Sequence, residues 1–202
     1  MNEFAFLGFH MPRDGYGYAT IKIADELARV TDGAVASVDM RNKEGKFGLS
    51  TDRSWELFDE PALALCVPEW LEAISAPRLV SHTMFEATRL PAGWAEMIND
   101  NADLCLVPCQ WCVEVFEDNG VTVPLQVLRW GVDPADYYPL DRSDHDGPYT
   151  FLWSGTPDKR KGWDLVYRAF WQAFQGSDDV RLVLHFRKMP RGKIGFRDSN
   201  VE

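Results

Sequence analysis

Two glycine-containing segments have the residue types and spacing that suit phosphate binding. The first spans residues 8–18 (GFHMPRDGYGY), with Gly15 and Gly17 near its end. Glycines let a backbone approach a ligand closely, and the N-terminus of the following helix attracts an anion. Thr20 stands where a complete G-x-G-x-x-G pattern has its third glycine. A tight strand-to-helix turn would use the same glycines, so both interpretations stay open.

The second segment spans residues 155–162 (GTPDKRKG) and precedes a predicted helix. It contains three consecutive cations, which the helix dipole disfavours at this position. A bound phosphate would offset that cost through its charge and its hydrogen bonds to backbone N–H groups. The order of residues is not that of a P-loop. The alternative is an exposed basic turn; the predicted phosphate-binding residues are Gly155, Arg160, Lys161 and Gly162.

Three cysteines, Cys105, Cys109 and Cys112, have the spacing C-x3-C-x2-C, which resembles the iron–sulfur motif of radical S-adenosylmethionine enzymes. Such a cluster needs three thiolates that converge from a loop. Here Cys105 falls in a predicted strand and the other two at a predicted helix start. We therefore expect free thiols, Cys66 included, and no metal site.

A histidine ends one of the predicted strands. His82 ends the predicted strand 78–82 (RLVSH), and Glu86 comes shortly after it. Ligands of open α/β sheets bind at the carboxyl ends of strands, so both side chains are site candidates. Lone histidines are more often structural. His10 also ends a strand and is a weaker candidate, whereas His145 and His185 are typical of linker and strand positions.

Short apolar runs alternate with helical patterns through the first part of the chain. Such alternation predicts a parallel sheet with helices on both faces. Loops are predicted over residues 11–17 and 41–52, and a short helix is expected to begin at 55–57. The predicted strands are 3–9, 34–40, 61–67, 78–82, 103–107 and 125–130, and the predicted helices are 18–30, 91–99 and 109–118.

The composition of the chain changes after residue 131. Residues 133–148 are rich in proline and acids, which is typical of a linker. One β-α-β unit follows, with strands at 149–154 and 180–186 and a helix at 163–174. The expected organisation is a Rossmann-like domain over 1–140, a linker over 141–148 and an incomplete Rossmann-like domain over 149–202.

Composition excludes several functional classes. The chain has 202 residues, of which 46% are hydrophobic, and its net charge is −10. That charge is unfavourable for coating nucleic acid. Residues 151–202 nevertheless hold 10 Lys/Arg against 6 Asp/Glu, which indicates either an anionic ligand toward the C-terminal part or a solvated basic tail. No apolar run is long enough to span a membrane, and no basic region precedes the first apolar stretch, so a cytoplasmic location is expected.

Several motifs, taken in order, resemble a retaining glycosyltransferase of the two-domain GT-B type, of the large family 4 group. The most specific stretch is residues 85–94 (FEATRLPAGW), and the similarity continues through 99–121. Residues 131–133 (GVD) with Tyr138 and Pro139 are similar to the family's crossing between domains. Residues 151–155 (FLWSG) and 160–164 (RKGWD) are similar to the start of its sugar-nucleotide domain. The similarity covers most of residues 1–186.

The resemblance implies transfer of a sugar from a nucleotide-sugar donor to a glycan or other acceptor, with retention at the anomeric carbon and with no metal or other cofactor. His82 corresponds to a catalytic-site histidine near the transferred sugar. Lys161, with Arg160 beside it, corresponds to the family's phosphate-binding lysine. The remaining implied positions are Gly15 and Gly17 in the loop that faces the donor, and Tyr16 and Glu86 on the acceptor side.

Two departures from the family pattern bear on activity. Thr156 stands where the family usually has an arginine, and after Glu117 the next glutamate is Glu202, so the E-x7-E signature is missing. We expect a fragment, a split gene product or a degraded relative, with little or no transferase activity unless a second chain completes the domain. The alternative is a non-catalytic remnant that binds a glycan or other acceptor.

Overall fold

The computed structural model describes residues 4–12, 15–40, 58–141 and 146–186. The predicted loop at 41–52, the helix start at 55–57 and His145 lie outside these ranges. The chain divides into two compact units, the first ending at Asp133 and the second beginning at Pro134. Among the helices within the described ranges, none has the length and apolar character needed to cross a bilayer.

The first unit is built on a six-stranded, fully parallel sheet. The strands lie in the order β2-β1-β3-β4-β5-β6, which confirms a mixed α/β fold of the Rossmann-like kind. The central strands are buried along almost their whole length, as apolar strands of a parallel sheet should be. The strands are β1 (Phe4–Gly8), β2 (Val35–Asp39), β3 (Ala62–Leu65), β4 (Leu79–His82), β5 (Leu104–Val107) and β6 (Leu125–Val127).

Within the described part of this unit, three α-helices accompany the sheet, and the core lies around the central strands. They are α1 (Gly15–Val30), α2 (Trp94–Asn101) and α3 (Gln110–Asp118), and a 3-10 helix at Pro68–Ala73 follows β3. Helix α1 packs on β1 and β2, and α3 on β5 and β6. The largest fully buried apolar side chains include Phe6, Leu65 and Phe116.

Two element boundaries differ from the sequence prediction in ways that affect the candidate site. Helix α1 begins at Gly15, three residues earlier than predicted, so both glycines of the first segment lie in its first turn. Strand β6 ends at Val127, because only Cys105–Val107 of β5 are available to pair with it. The N–H of Leu128 still donates to the carbonyl of Val107 at 2.9 Å, and beyond it the chain leaves the sheet, so that Trp130 lies near the end of β4, two strands away.

Asparagine side chains hold the segments around α2 and α3 in place. Asn119 accepts a hydrogen bond from the backbone N–H of Leu90 at 3.0 Å and donates to the carbonyl of Thr88 at 2.9 Å. Asn99 accepts from the N–H of Thr122 at 2.7 Å. These residues belong to the stretch that resembles the glycosyltransferase family, and here their side chains fasten loops.

The second unit is a small β-α-β arrangement. It contains β7 (Tyr149–Gly155), a 3-10 turn at Lys159–Lys161, α4 (Trp163–Ala173) and β8 (Val180–Phe186). Strands β7 and β8 are parallel, which requires a crossover connection, here through one helix. Aromatic rings join helix and sheet, with Phe151 against Phe170 at 5.9 Å and Trp163 against Phe186 at 5.6 Å. Every described residue of this unit is exposed or half-buried.

Candidate functional site

The carboxyl edge of the six-stranded sheet brings several predicted site residues together. The strand register aligns Gly8 with Leu65 and Leu65 with His82, so the ends of β1, β3 and β4 form one row. The chain proceeds in opposite directions across the sheet from β1, to β2 on one side and to β3 on the other. Ligands of open α/β sheets bind outside the carboxyl ends at such a switch point. His82 lies one strand away from it.

His82, Tyr16 and Trp130 form an aromatic cluster at this edge. The indole N–H of Trp130 donates to Nε2 of His82 at 3.0 Å, and the two rings meet edge to face with centroids 5.6 Å apart. Tyr16 meets Trp130 at nearly right angles, at 6.2 Å. The cluster joins the first turn of α1, the end of β4 and the segment after β6. His82 and Tyr16 were predicted site residues, whereas Trp130, which is 48 residues from its histidine partner, was not.

His82 is held in its neutral form. Its side chain is only 1% exposed, and burial lowers its pKa from 6.5 to about 4. An indole N–H can only donate, so Nε2 accepts and the proton of the neutral ring sits on Nδ1. At neutral pH the ring is therefore an uncharged hydrogen-bonding group with its acceptor nitrogen occupied by Trp130.

Tyr16 fastens helix α1 to the loop after β4. Its hydroxyl accepts a hydrogen bond from the backbone N–H of Met84 at 3.2 Å. Burial raises the pKa of Tyr16 above its usual value, so the phenol stays protonated at neutral pH. Glu86 lies two residues beyond Met84, is exposed, and is close enough for its charge to raise the same pKa further. Tyr16 and Glu86, the two residues predicted on the acceptor side, therefore lie near one another.

Gly17 owes its lack of a side chain to packing. A Cβ at this position would lie 2.6 Å from the backbone N of Met11 and closer still to the Met11 carbonyl. Gly15, in contrast, has open space where its Cβ would point. The close approach of the Met11 loop to the first turn of α1 therefore explains why position 17 is a glycine. A tight strand-to-helix turn is therefore enough to explain Gly17. It does not explain Gly15, because a side chain at position 15 would meet no neighbouring atom.

His10 is engaged by strand β2. Its backbone N–H donates to Oδ1 of Asp39 at 3.3 Å, and its ring Nε2 lies 3.2 Å from the hydroxyl of Ser37. These contacts tie the loop after β1 to the end of β2. Asp39 was not singled out from the sequence, although an acid at the end of the second strand was a readable signal.

The cysteines do not form a three-thiolate group. Cys105 is fully buried within β5, and burial raises its pKa to about 12. Cys109 is the exposed residue that precedes α3, and Cys112 lies in the first turn of that helix. Within the described ranges, no set of three or more His, Cys, Asp or Glu side chains is arranged to hold a metal ion.

The basic turn of the second unit is more structured than its sequence suggested. The Asp158 carboxylate accepts a hydrogen bond from the N–H of Lys161 at 3.0 Å, and the indole of Trp153 donates to the Lys161 carbonyl at 3.0 Å. Gly162 has a φ of 65°, a left-handed conformation that glycine adopts without strain. The Lys161 backbone is therefore fixed from both sides while its side chain is exposed.

Two carboxylates accompany the three cations of this turn. Asp158 caps the 3-10 turn, and Asp164 lies in the first turn of α4, where it pairs with Arg168 at 2.7 Å. The acids reduce the unfavourable interaction between the cations and the helix dipole. Gly155 is close-packed, since a Cβ there would lie 3.2 Å from the ring of Trp153.

No protein-family model matches this chain, and neither does any curated protein sequence. The first unit presents uncharged hydrogen-bonding and aromatic groups, and the second presents exposed cations beside a helix start. The first set suits a neutral polar ligand, and the second an anion.

Proposed function

We propose that this chain is a retaining glycosyltransferase of the GT-B type that takes a sugar from a nucleotide-sugar donor. The observation that carries the proposal is the buried, neutral His82 at the carboxyl end of β4, flanked by the rings of Trp130 and Tyr16. The motif order across residues 85–164 supports the same assignment.

A neutral histidine suits the charge changes of glycosyl transfer. Positive charge develops on the sugar ring as the glycosidic bond breaks. An imidazolium beside that ring would oppose the transition state, whereas a neutral imidazole can donate a hydrogen bond to a hydroxyl without that penalty. In this role the Nδ1–H of His82 is the donor, because Nε2 already accepts from Trp130.

The basic turn of the second unit would hold the diphosphate that leaves with the nucleotide. The side chains of Arg160 and Lys161 supply positive charge, and the backbone N–H groups of Trp163 and Asp164 begin an 11-residue helix with no side-chain cap. Because Asp158 and Trp153 fix the Lys161 backbone, little ordering of that backbone would accompany binding.

A charge-removal series tests this role of the turn. Lys161→Ala is expected to weaken binding of a UDP- or GDP-sugar about tenfold or more, because a charge-assisted hydrogen bond contributes about 1.5–3 kcal/mol. Isothermal titration calorimetry gives the affinities. Lys159→Ala is the matched control, since it removes the same charge from the same turn at a position not assigned to the phosphate. Equal losses in both variants, or no binding of either nucleotide sugar to the unmodified chain, would contradict the assignment.

One observation favours the second candidate, a non-catalytic module that binds a glycan or other acceptor. Asp158 already occupies the Lys161 N–H, a donor that a phosphate would use, and it adds a negative charge beside the proposed diphosphate. A binding module of this kind would retain glycan affinity in the Lys161→Ala variant. Screening the chain and this variant against a glycan array distinguishes the two functions.

A further inference from the structure

Two cysteines stand together at the start of helix α3, outside the site described above. They enclose the sequence Cys109-Gln110-Trp111-Cys112. Cys109 is the extended residue immediately before the helix, and its carbonyl accepts from the N–H of Cys112 at 3.1 Å. This turn brings the two sulfur atoms to 3.6 Å from one another. An S–S bond of about 2.05 Å requires the sulfurs to approach by a further ~1.6 Å, which side-chain rotation can supply.

The two thiols have opposite environments. Cys109 is exposed, and the backbone N–H of Cys112 together with the Cys112 thiol lowers its pKa. Cys112 is only 4% exposed, and burial raises its pKa to about 11. Of the two sulfurs, the one that solvent reaches is therefore the first to lose its proton. An accessible nucleophile beside a protected second thiol is the arrangement that disulfide exchange uses.

The other two cysteines of the chain lack this reactivity. Cys66 and Cys105 are both fully buried, and burial raises the pKa of each to about 12. They serve as unreactive internal references in the same molecule.

We propose that Cys109 and Cys112 are a redox-active dithiol that closes reversibly into an intramolecular disulfide. The oxidant is a disulfide, either a small molecule or an exposed protein disulfide. The Cys109 thiolate attacks one sulfur of that disulfide, forms a mixed disulfide and releases one thiolate. Cys112 then loses its proton and attacks the Cys109 sulfur, which releases the second thiolate. The chain loses two electrons and two protons, and the oxidant becomes two thiols.

The pair also contacts the loop that carries Glu86. The Cys112 sulfur interacts with the backbone of Phe85, which directly precedes that glutamate. Closing the disulfide replaces the thiol at this contact, so oxidation acts on a segment next to the candidate site.

Thiol trapping with peptide mapping tests the proposal on the full 202-residue chain. The reduced chain is equilibrated with mixtures of glutathione and glutathione disulfide, quenched with acid, denatured and alkylated. Chymotrypsin cleaves after Trp111 and so separates the two cysteines. The expected result is that peptides 107–111 and 112–116 stay linked until a reductant is added, while Cys66 and Cys105 remain alkylatable. Four alkylated cysteines at every mixture, or disulfides only between chains, would overturn the proposal.

Two serine variants separate the roles of the sulfurs. Cys112→Ser lacks the second thiol, so it is expected to accumulate glutathione on Cys109. Cys109→Ser keeps only the buried thiol of the pair, Cys112, which should react at least about tenfold more slowly than Cys109 does in Cys112→Ser. Protection of Cys66 and Cys105 from alkylation before denaturation reports that each variant is folded. Equal reaction rates in the two folded variants would contradict the assignment of Cys109 as the attacking thiol.

Discussion

Gly17→Ala is expected to lower the free energy of unfolding of the first unit by about 3 kcal/mol, the upper part of the range for an overpacked site. The added Cβ would meet the backbone of Met11, with the Met11 nitrogen at 2.6 Å. Backbone atoms of a loop cannot rotate away as a side chain can, so the loop or the first turn of α1 must move. A loss of this size is a large fraction of the stability of an ordinary domain.

Gly15→Ala is the matched control for this substitution. Gly15 lies two residues earlier in the same helix and has open space at its Cβ position. Because alanine favours helix more than glycine does, stability should be unchanged or higher by up to ~1 kcal/mol. Unfolding in urea, monitored by hydrogen exchange of the β1 amides, gives the free energy of unfolding of both variants. Similar losses in the two variants would show that the Met11 contact is not the cause.

The same pair separates packing from ligand binding. If Gly17→Ala keeps its stability but loses affinity for a nucleotide sugar, the glycine serves the ligand, as the family resemblance implies. If Gly15→Ala is stable but loses that affinity, the open space at Gly15 is where the ligand approaches. These outcomes decide between the two interpretations of the first glycine segment.

Lowering the pH from 7 to 5 is expected to remove about 2 kcal/mol of stability through His82 alone. The pKa of this histidine is about 4 in the folded chain, against 6.5 when unfolded. The unfolded chain therefore binds a proton between these values while the folded chain does not, so stability falls as pH falls through this window. Above about pH 7 both states are neutral at this residue and its contribution becomes constant.

Comparison with His82→Gln isolates this contribution from that of other groups. The stability difference between the unmodified chain and the variant at pH 8 measures the lost packing and hydrogen bond. The change in that difference between pH 8 and pH 5 measures the titration of His82. Hydrogen exchange of the β4 amides measures the stability of the first unit, and NMR of the imidazole protons gives the pKa of His82 directly. A pKa near 6.5 in the folded chain would contradict the proposed neutral role.

Much of the first unit was predictable from local pattern. The runs around Leu7, Leu65 and Val107 were apolar over the length of a strand, and each proved to be a buried strand of a parallel sheet. Helix starts were less accurate. Gly93 adopts a φ of 85°, and α2 therefore begins at Trp94 and not at Pro91. The 3-10 helix after β3 was not predicted, although Pro68 is a residue that suits a helix start.

The candidate site depended more on contacts between distant residues. His82 and Tyr16 were identified from their positions at a strand end and in the glycine segment. Trp130 was assigned to a strand, yet it turns out of the sheet and donates to His82. Cys109 and Cys112 were considered only as members of a three-cysteine motif. Their C-x-x-C spacing at a helix start was a signal for a dithiol that the sequence already contained.

Most elements of the first unit and their parallel arrangement could be predicted from local pattern, because apolar runs and helical periodicity act over a few neighbouring residues. The sequence also determined which side chains could carry charge or react. Three features could not be predicted from these patterns: Trp130 holds His82, Met11 requires a glycine at position 17, and Asp158 restrains the Lys161 backbone. The first is a contact between residues 48 positions apart, and the other two are close approaches within a loop or turn whose geometry the spacing of residue types does not determine. Burial in the folded unit then sets the pKa of His82.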